Sequence, residues 1–162
     1  AGTWGSGIFV SEDGGLSWTS SAAGPDTPDI RDLCSGAGYG GRVVAFAGTT
    51  AGAFRSVDHG TRWDHAGQTR LDVHSVSLHP DYASRPNCYL GTDGGGILFS
   101  NNGGLTWSPL NDGLGNLRVN DVVVATSDIN PVLFAATGGG VWCYSDIPEP
   151  AHYLVRVPLM LK

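Results

Sequence analysis

The chain has 162 residues and a mass of 16.9 kDa, room for one domain or for a few repeats of a larger one. Charged residues are 15%, against roughly 25% in an average protein, and 25 glycines are about twice the usual share; this excludes helix bundles and coiled coils and points to an all-β, turn-rich chain. A net charge of -6, a single lysine (Lys162) and no apolar run near ~18 residues exclude a phosphate-tracking surface and a membrane-spanning helix.

In chain order, residues 1–3, 7–11 and 16–19 read as three short strands, and the next cycle reads as four: 30–34, 42–49, 52–56 and 61–66. A second full cycle runs 72–79, 87–92, 96–100 and 105–110, and a third 119–125, 131–137 and 140–145, with a fourth strand that is missing or remade by 153–161. The cycles align at Gly7-Ile8-Phe9-Val10-Ser11, Gly52-Ala53-Phe54-Arg55-Ser56, Gly96-Ile97-Leu98-Phe99-Ser100 and, with one inserted residue, Gly140 to Ser145, so that the serines stand 45, 44 and 45 apart. A period near 45 is that of a four-stranded propeller blade. The expectation is about three and a half four-stranded antiparallel blades over residues 1–146, a partial propeller or part of a larger ring, followed by a Pro linker and apolar strand or tail over 147–162. The chain is out of phase with its blades: the first blade lacks its innermost strand.

Between the third and fourth strands stand Ser11-Glu12-Asp13-Gly14-Gly15-Leu16-Ser17-Trp18, Ser56-Val57-Asp58-His59-Gly60-Thr61-Arg62-Trp63 and Ser100-Asn101-Asn102-Gly103-Gly104-Leu105-Thr106-Trp107. These resemble the Asp-box, Ser-x-Asp-x-Gly-x-Thr-Trp, of bacterial-neuraminidase repeats, which is also found in the sortilin ectodomain, in xyloglucan-hydrolysing propellers and in a photosystem assembly factor. The resemblance covers residues 1 to about 146 and departs at Ser17, Arg62 and Asn102. The composition has a structural explanation. The Asp or Asn accepts amides two residues on, Gly15, Gly60 and Gly104 tolerate positive φ, and Trp18, Trp63 and Trp107 cover the hairpins.

A sialidase site, which the same resemblance would supply, needs three arginines, a Tyr-Glu pair and an acid Asp, and this chain offers scattered arginines and two glutamates, Glu12 and Glu149. Asp32, Asp72 and Asp121 lie near first strands, which line a propeller's channel; with Trp4, which stands outside the repeat consensus, they are the candidate ligand contacts. His74 and His79 are placed on opposite faces of one strand. No metal-ligand spacing or nucleophile elbow is present, and no catalytic residue, metal or cofactor is expected. Trp142 occupies the repeat position of Phe9 and Phe54 and is read as core, while Tyr39 and Tyr82 fall near loops. Cys34, Cys88 and Cys143 match no metal or disulfide pattern, so their pairing stays open.

The reading that unites these features is a noncatalytic structural or recognition module, extracellular or at the cell surface, with glycan as a candidate ligand. Its open blade edges pair with copies of itself, as a ring or a filament, or with missing blades of a longer chain. The alternatives are a fragment of a carbohydrate-active propeller enzyme, a glycoside hydrolase, and a photosystem-type assembly factor.

Overall fold

The computed structural model describes residues 1–67, 70–126, 131–145 and 154–157. Among them the only regular elements are strands and one short 3-10 turn, and no helix is long and apolar enough to cross a membrane. An N-terminal partial blade pairs β1 (Phe9–Val10) with β2 (Thr19–Ser20), and a bridge from Gly2 to Ile8 adds the edge of residues 1–3. Blade 1 is β3 (Ile30–Ala37), β4 (Val43–Thr49), β5 (Gly52–Ser56) and β6 (Asp64–His65) in that order. Blade 2 is β7 (Val73–Leu78), β8 (Cys88–Thr92), β9 (Gly96–Ser100) and β10 (Ser108–Pro109). Blade 3 is β11 (Val119–Thr126), β12 (Pro131–Thr137), β13 (Gly140–Ser145) and β14 (Leu154–Val157). All pairings between these strands are antiparallel, and β14 supplies the fourth strand of blade 3 by pairing Val141 with Val157 through Tyr144 with Leu154.

The three full blades stack with their first strands side by side, and the core lies between blades rather than within one. Phe54 and Trp63 pack with Ile8 and Ile30 between the partial blade and blade 1. Phe46, Val73, Val76, Tyr82 and Leu90 fill the joint between blades 1 and 2. Tyr89, Ile97, Val119, Val122 and Leu133 fill the next. Close approach needs a residue without a side chain at one repeat position. A Cβ on Gly48 would lie 2.9 Å from Val73, and one on Gly91 would lie 2.9 Å from Val119, so a strand of one blade can touch the innermost strand of the next only through glycine.

Each innermost strand carries a β-bulge at the same place, with Arg31, His74 and Asn120 as the extra, unpaired residues. Polar residues immediately after the bulges lock blade to blade. Asp32 Oδ2 accepts the Val76 amide at 2.8 Å; Ser75 Oγ accepts the Val122 amide at 3.2 Å and donates to Asp121 Oδ1 at 2.7 Å. Ser77 Oγ accepts the Val124 amide at 3.2 Å. These bonds satisfy amides on the outer edge of the next innermost strand, which has no strand partner on that side.

The strand assignments read from sequence differ from the structure mainly at ends. β7 stops at Leu78, so His79 leaves the strand and its Nδ1 accepts the Asp81 amide at 3.0 Å in the following turn, instead of facing away from His74. Tyr82, expected near a loop, is buried against Phe46, whereas Tyr39 is 92% exposed on a glycine-rich turn. Trp142 is half-buried against the joint between blades 2 and 3, its indole N–H donating to Thr137 Oγ1 at 3.2 Å. All three cysteines are free thiols, and burial pushes Cys34 and Cys88 up to about 12, keeping them protonated. Most of the tail expected over 147–162 lies outside the described residues.

Candidate functional site

Three repeat positions meet where the innermost strands begin: the tip of the hairpin between second and third strands (Trp4 and Asp93), the residue ahead of each innermost strand (Asp72 and Arg118), and the bulge residue (Arg31 and His74). Hairpin tips are held against the following blade by backbone bonds, from Gly5 and Gly7 to the Pro28 carbonyl and from Gly94 and Gly96 to the Leu117 carbonyl. A rim strip results. The Arg31 guanidinium lies 4.8 Å from the centroid of the Trp4 ring and donates to both oxygens of Asp72, from Nε at 3.1 Å and Nη2 at 2.7 Å. His74 Nε2 is 3.8 Å from the same carboxylate. Asp93, whose amide donates to the Asp72 carbonyl at 2.9 Å, lies 3.9 Å from Arg118.

The strip mixes an aromatic plate with paired charges. Trp4 is 68% exposed, so the ring presents a surface to solvent while Arg31 supports it. Cation–π contact and a fork-shaped Arg–carboxylate pair fix the orientation of both groups. Asp72, His74 and Asp93 each bring one donor atom within 4.8 Å of the other two, a grouping that could hold a metal ion. Arg31 competes for that role, because it already occupies both Asp72 oxygens.

Of the four candidate ligand contacts read from sequence, Trp4 and Asp72 are joined through Arg31. Asp32 and Asp121 lie apart from them in the blade joints, where Asp32 accepts the Leu33 and Val76 amides and Asp121 accepts the Ser75 hydroxyl. Sequence reading missed Arg31, His74, Asp93 and Arg118. Arg31 and His74 are the bulge residues of their strands, and Asp93 and Arg118 meet in a bridge between hairpin tip and next blade, placements that no spacing in the sequence announces.

The three Ser-to-Trp turns have one hydrogen-bond scheme. The serine hydroxyl donates to the acid or amide oxygen at 2.8 Å (Ser11 to Asp13, Ser56 to Asp58, Ser100 to Asn102). The same serine oxygen accepts the amide of Gly15, Gly60 or Gly104 at 2.7–2.9 Å. Asp13, Asp58 and Asn102 then accept the amides of Ser17, Arg62 and Thr106, four residues on rather than two, at 2.9–3.0 Å. Those bonds hold Asp13 down at about 2, led by the Ser17 hydroxyl, and lower Asp58, led by the Arg62 amide. Asn102 makes the same bonds uncharged and adds one from its amide to Thr106 Oγ1 at 2.8 Å.

The tryptophans of these turns reach different surroundings. Trp63 is 7% exposed and donates to the Gly60 carbonyl; Trp107 donates back across the joint to the Ala66 carbonyl of blade 1 at 2.8 Å; Trp18, in the partial blade, is 50% exposed. At the other end Phe134 is 39% exposed, while the residues at its repeat position, Phe46 and Tyr89, are 0% and 8% exposed.

Neither a protein-family model nor a curated protein matches the chain. Among solved structures it is similar to an ancestral GH74 enzyme, with a TM-score of 0.69 and 15% identity over 94% of this chain. The chain spans 22% of that enzyme's length. The likeness establishes the β-propeller fold of the blades.

Proposed function

We propose that the chain is a noncatalytic structural and recognition module built of Asp-box propeller blades, extracellular or at the cell surface, whose open blade faces and edges pair with further copies of itself or with missing blades of a longer chain. The observation that carries this is the grading of exposure along equivalent positions. Inside the chain the Phe46 face of blade 1 packs on the blade that carries Gly104 and Trp107; a Cβ on Gly104 would lie 2.7 Å from the Phe46 ring. At the ends the two halves of that joint, Phe134 and Trp18, stand uncovered. Unlike faces that fit each other make a head-to-tail contact, giving a ring if the rotation closes and a filament otherwise. The Trp4–Arg31–Asp72 strip is the surface suited to recognition, since an exposed indole offers a sugar ring a stacking face.

Analytical ultracentrifugation tests the association. A particle larger than one chain that dissociates in Phe134→Asp supports it; a monomer at all concentrations overturns it. A glycan array comparing the wild type with Trp4→Ala tests the recognition surface.

A second reading, a piece of a carbohydrate-active propeller enzyme, draws on Asp72 and Asp93, whose oxygens approach within 4.8 Å, near the roughly 5–5.5 Å carboxyl separation of retaining glycosidases. Turnover in a glycoside hydrolysis screen that is lost in Asp93→Asn replaces the noncatalytic reading with this one.

A further inference from the structure

The connection from the outermost strand of one blade to the innermost strand of the next has the same length in two places. Ser21 to Ile30 leaves the partial blade and Leu110 to Val119 leaves blade 2, and the two segments align without a gap. They also share their bonding. The Ser21 and Leu110 amides donate to the Ile8 and Ile97 carbonyls at 2.9 and 2.8 Å. Thr27 Oγ1 and Asn116 Oδ1 accept the amides two residues on, from Asp29 at 3.5 Å and Arg118 at 2.8 Å. The hairpin tips that these connections pass are held alike, by the Gly7 and Gly96 amides on the Pro28 and Leu117 carbonyls. Position 22 is therefore the counterpart of position 111, and there the two part: Ala22 stands where blade 2 has Asn111.

Asn111 is a plug. Its Oδ1 accepts the Ile97 amide at 2.9 Å and its Nδ2 donates to the Gly95 carbonyl at 3.0 Å, so one planar carboxamide closes two backbone groups of the hairpin. A Cβ on Gly96 would collide with that carboxamide. Gly7 has the same backbone, φ 75° against 76°, yet a Cβ on Gly7 would meet nothing within 4 Å. The open space belongs to a pocket of about 440 Å3 bordered by Ser6, Gly7, Ile8, Ser20, Asp26 and Thr27. The Ile8 amide and the Ser6 carbonyl are the counterparts of the Ile97 amide and the Gly95 carbonyl. Among the described residues neither has a hydrogen-bond partner, although Ile8 is only 4% exposed.

We infer that this pocket binds a primary carboxamide, the group carried by asparagine and glutamine side chains and by small amides, in the place that the Asn111 side chain fills in blade 2. The ligand's carbonyl oxygen accepts the Ile8 amide and its NH2 donates to the Ser6 carbonyl. Open backbone groups of this kind recruit a partner, because a buried donor or acceptor left unmade is costly. The pairing is selective, since both bonds need donor and acceptor on one edge of the ligand. A trans secondary amide turns its N–H away from its own oxygen, and a carboxylate brings no proton for Ser6. The volume leaves room for the chain that carries the carboxamide. The site shares no side chain with the Trp4–Arg31–Asp72 strip, and it stands whether or not the blades pair with further copies.

The test is an amide-resolved NMR titration of the full chain with propanamide and with N-acetylasparagine N-methylamide. N-methylpropanamide and N,N-dimethylpropanamide, which keep the carbonyl and lose the NH2 edge, are the controls. A saturable shift of the Ile8 amide is expected, absent from the Ile97 amide that Asn111 already holds, with propanamide binding at least tenfold more tightly than either alkylated amide. An asparagine derivative at least tenfold tighter again identifies a polypeptide side chain as the occupant, and equal affinity identifies a free small amide. Ala22→Asn puts the Asn111 arrangement into the pocket; it should raise the melting temperature and weaken propanamide at least tenfold. The inference is overturned by dimethylpropanamide binding as tightly as propanamide, by equal shifts at Ile8 and Ile97, by no saturable shift at Ile8, or by a folded Ala22→Asn variant that binds propanamide unchanged. The wild-type titration decides it even where the variant does not fold.

Discussion

Asp32 of blade 1 accepts the amide of Val76 in blade 2 at 2.8 Å, so a carboxylate on one innermost strand caps an edge amide of the next. Its other oxygen takes the Leu33 amide, also at 2.8 Å. Asp32→Ala therefore strips the acceptor from an amide inside a blade joint, at a cost of about 1–3 kcal/mol. Asp32→Asn, which keeps one acceptor oxygen, should lose less than Asp32→Ala. Urea unfolding with an unchanged m-value measures both; an alanine variant as stable as the wild type would show the bond to be dispensable.

Trp63 and Trp18 hold the same repeat position in different surroundings. Trp63→Ala empties a buried site and should cost roughly 3–5 kcal/mol, as large aromatic truncations do. Trp18→Ala removes a side chain that is already half in water and should cost far less in dilute solution. Equal losses in the two variants would mean that Trp18 is covered in solution.

The turn carboxylates give a pH dependence whose sign is fixed by the direction of their shifts. Asp13 and Asp58 are held below the ordinary aspartate range by hydrogen bonds to their charged forms, so they contribute stability above the unfolded-state value and lose it as pH falls through the folded one, about 2 for Asp13. Amide shifts of Ser17 and Arg62 should follow those protonations, whereas Thr106, bonded to Asn102, should not. Asp58→Asn should be nearly neutral at pH 7. A large loss there would show that the charge itself is needed.

His59 has φ 61° at the position where Gly14 and Gly103 stand with φ 74° and 70°. A non-glycine residue in the left-handed region is strained, so His59→Gly should raise stability by up to about 1 kcal/mol. Differential scanning calorimetry on the two proteins decides it.

Removing residues 153–162 takes away β14 and leaves the β13 edge, Val141 to Tyr144, without its ladder partner. We expect a lower melting temperature and a changed particle mass. An unchanged mass and melt would assign the tail no part in the blade or in assembly.

Much of the architecture was legible because a propeller writes its fold as a period. Serines about 45 apart, a glycine and a tryptophan at constant offsets from them, and alternating apolar residues placed β5, β9 and β13 to the residue. The site was far less legible. Arg31 and Asp72 are 41 positions apart and meet only because consecutive innermost strands lie side by side. Nor does period-two alternation survive a bulge, so His74 was read onto a regular strand face. Tyr82 and Tyr39 looked alike as loop aromatics. What separates them is connection length, which lets one loop fold back over Phe46 and holds the other away.

The bulges at Arg31, His74 and Asn120 also bear on how such a chain can change over time. Each blade surrenders one residue from its ladder, so strand pairing does not dictate which residue stands there, and Arg31 and His74 meet Asp72 on the rim instead. The residues that follow them, Asp32 and Ser75, by contrast, are tied into the joints. A stack of blades thereby carries a row of letters that pairing leaves open on a frame that holds still, and lengthening the stack by one repeat adds one more letter to the row.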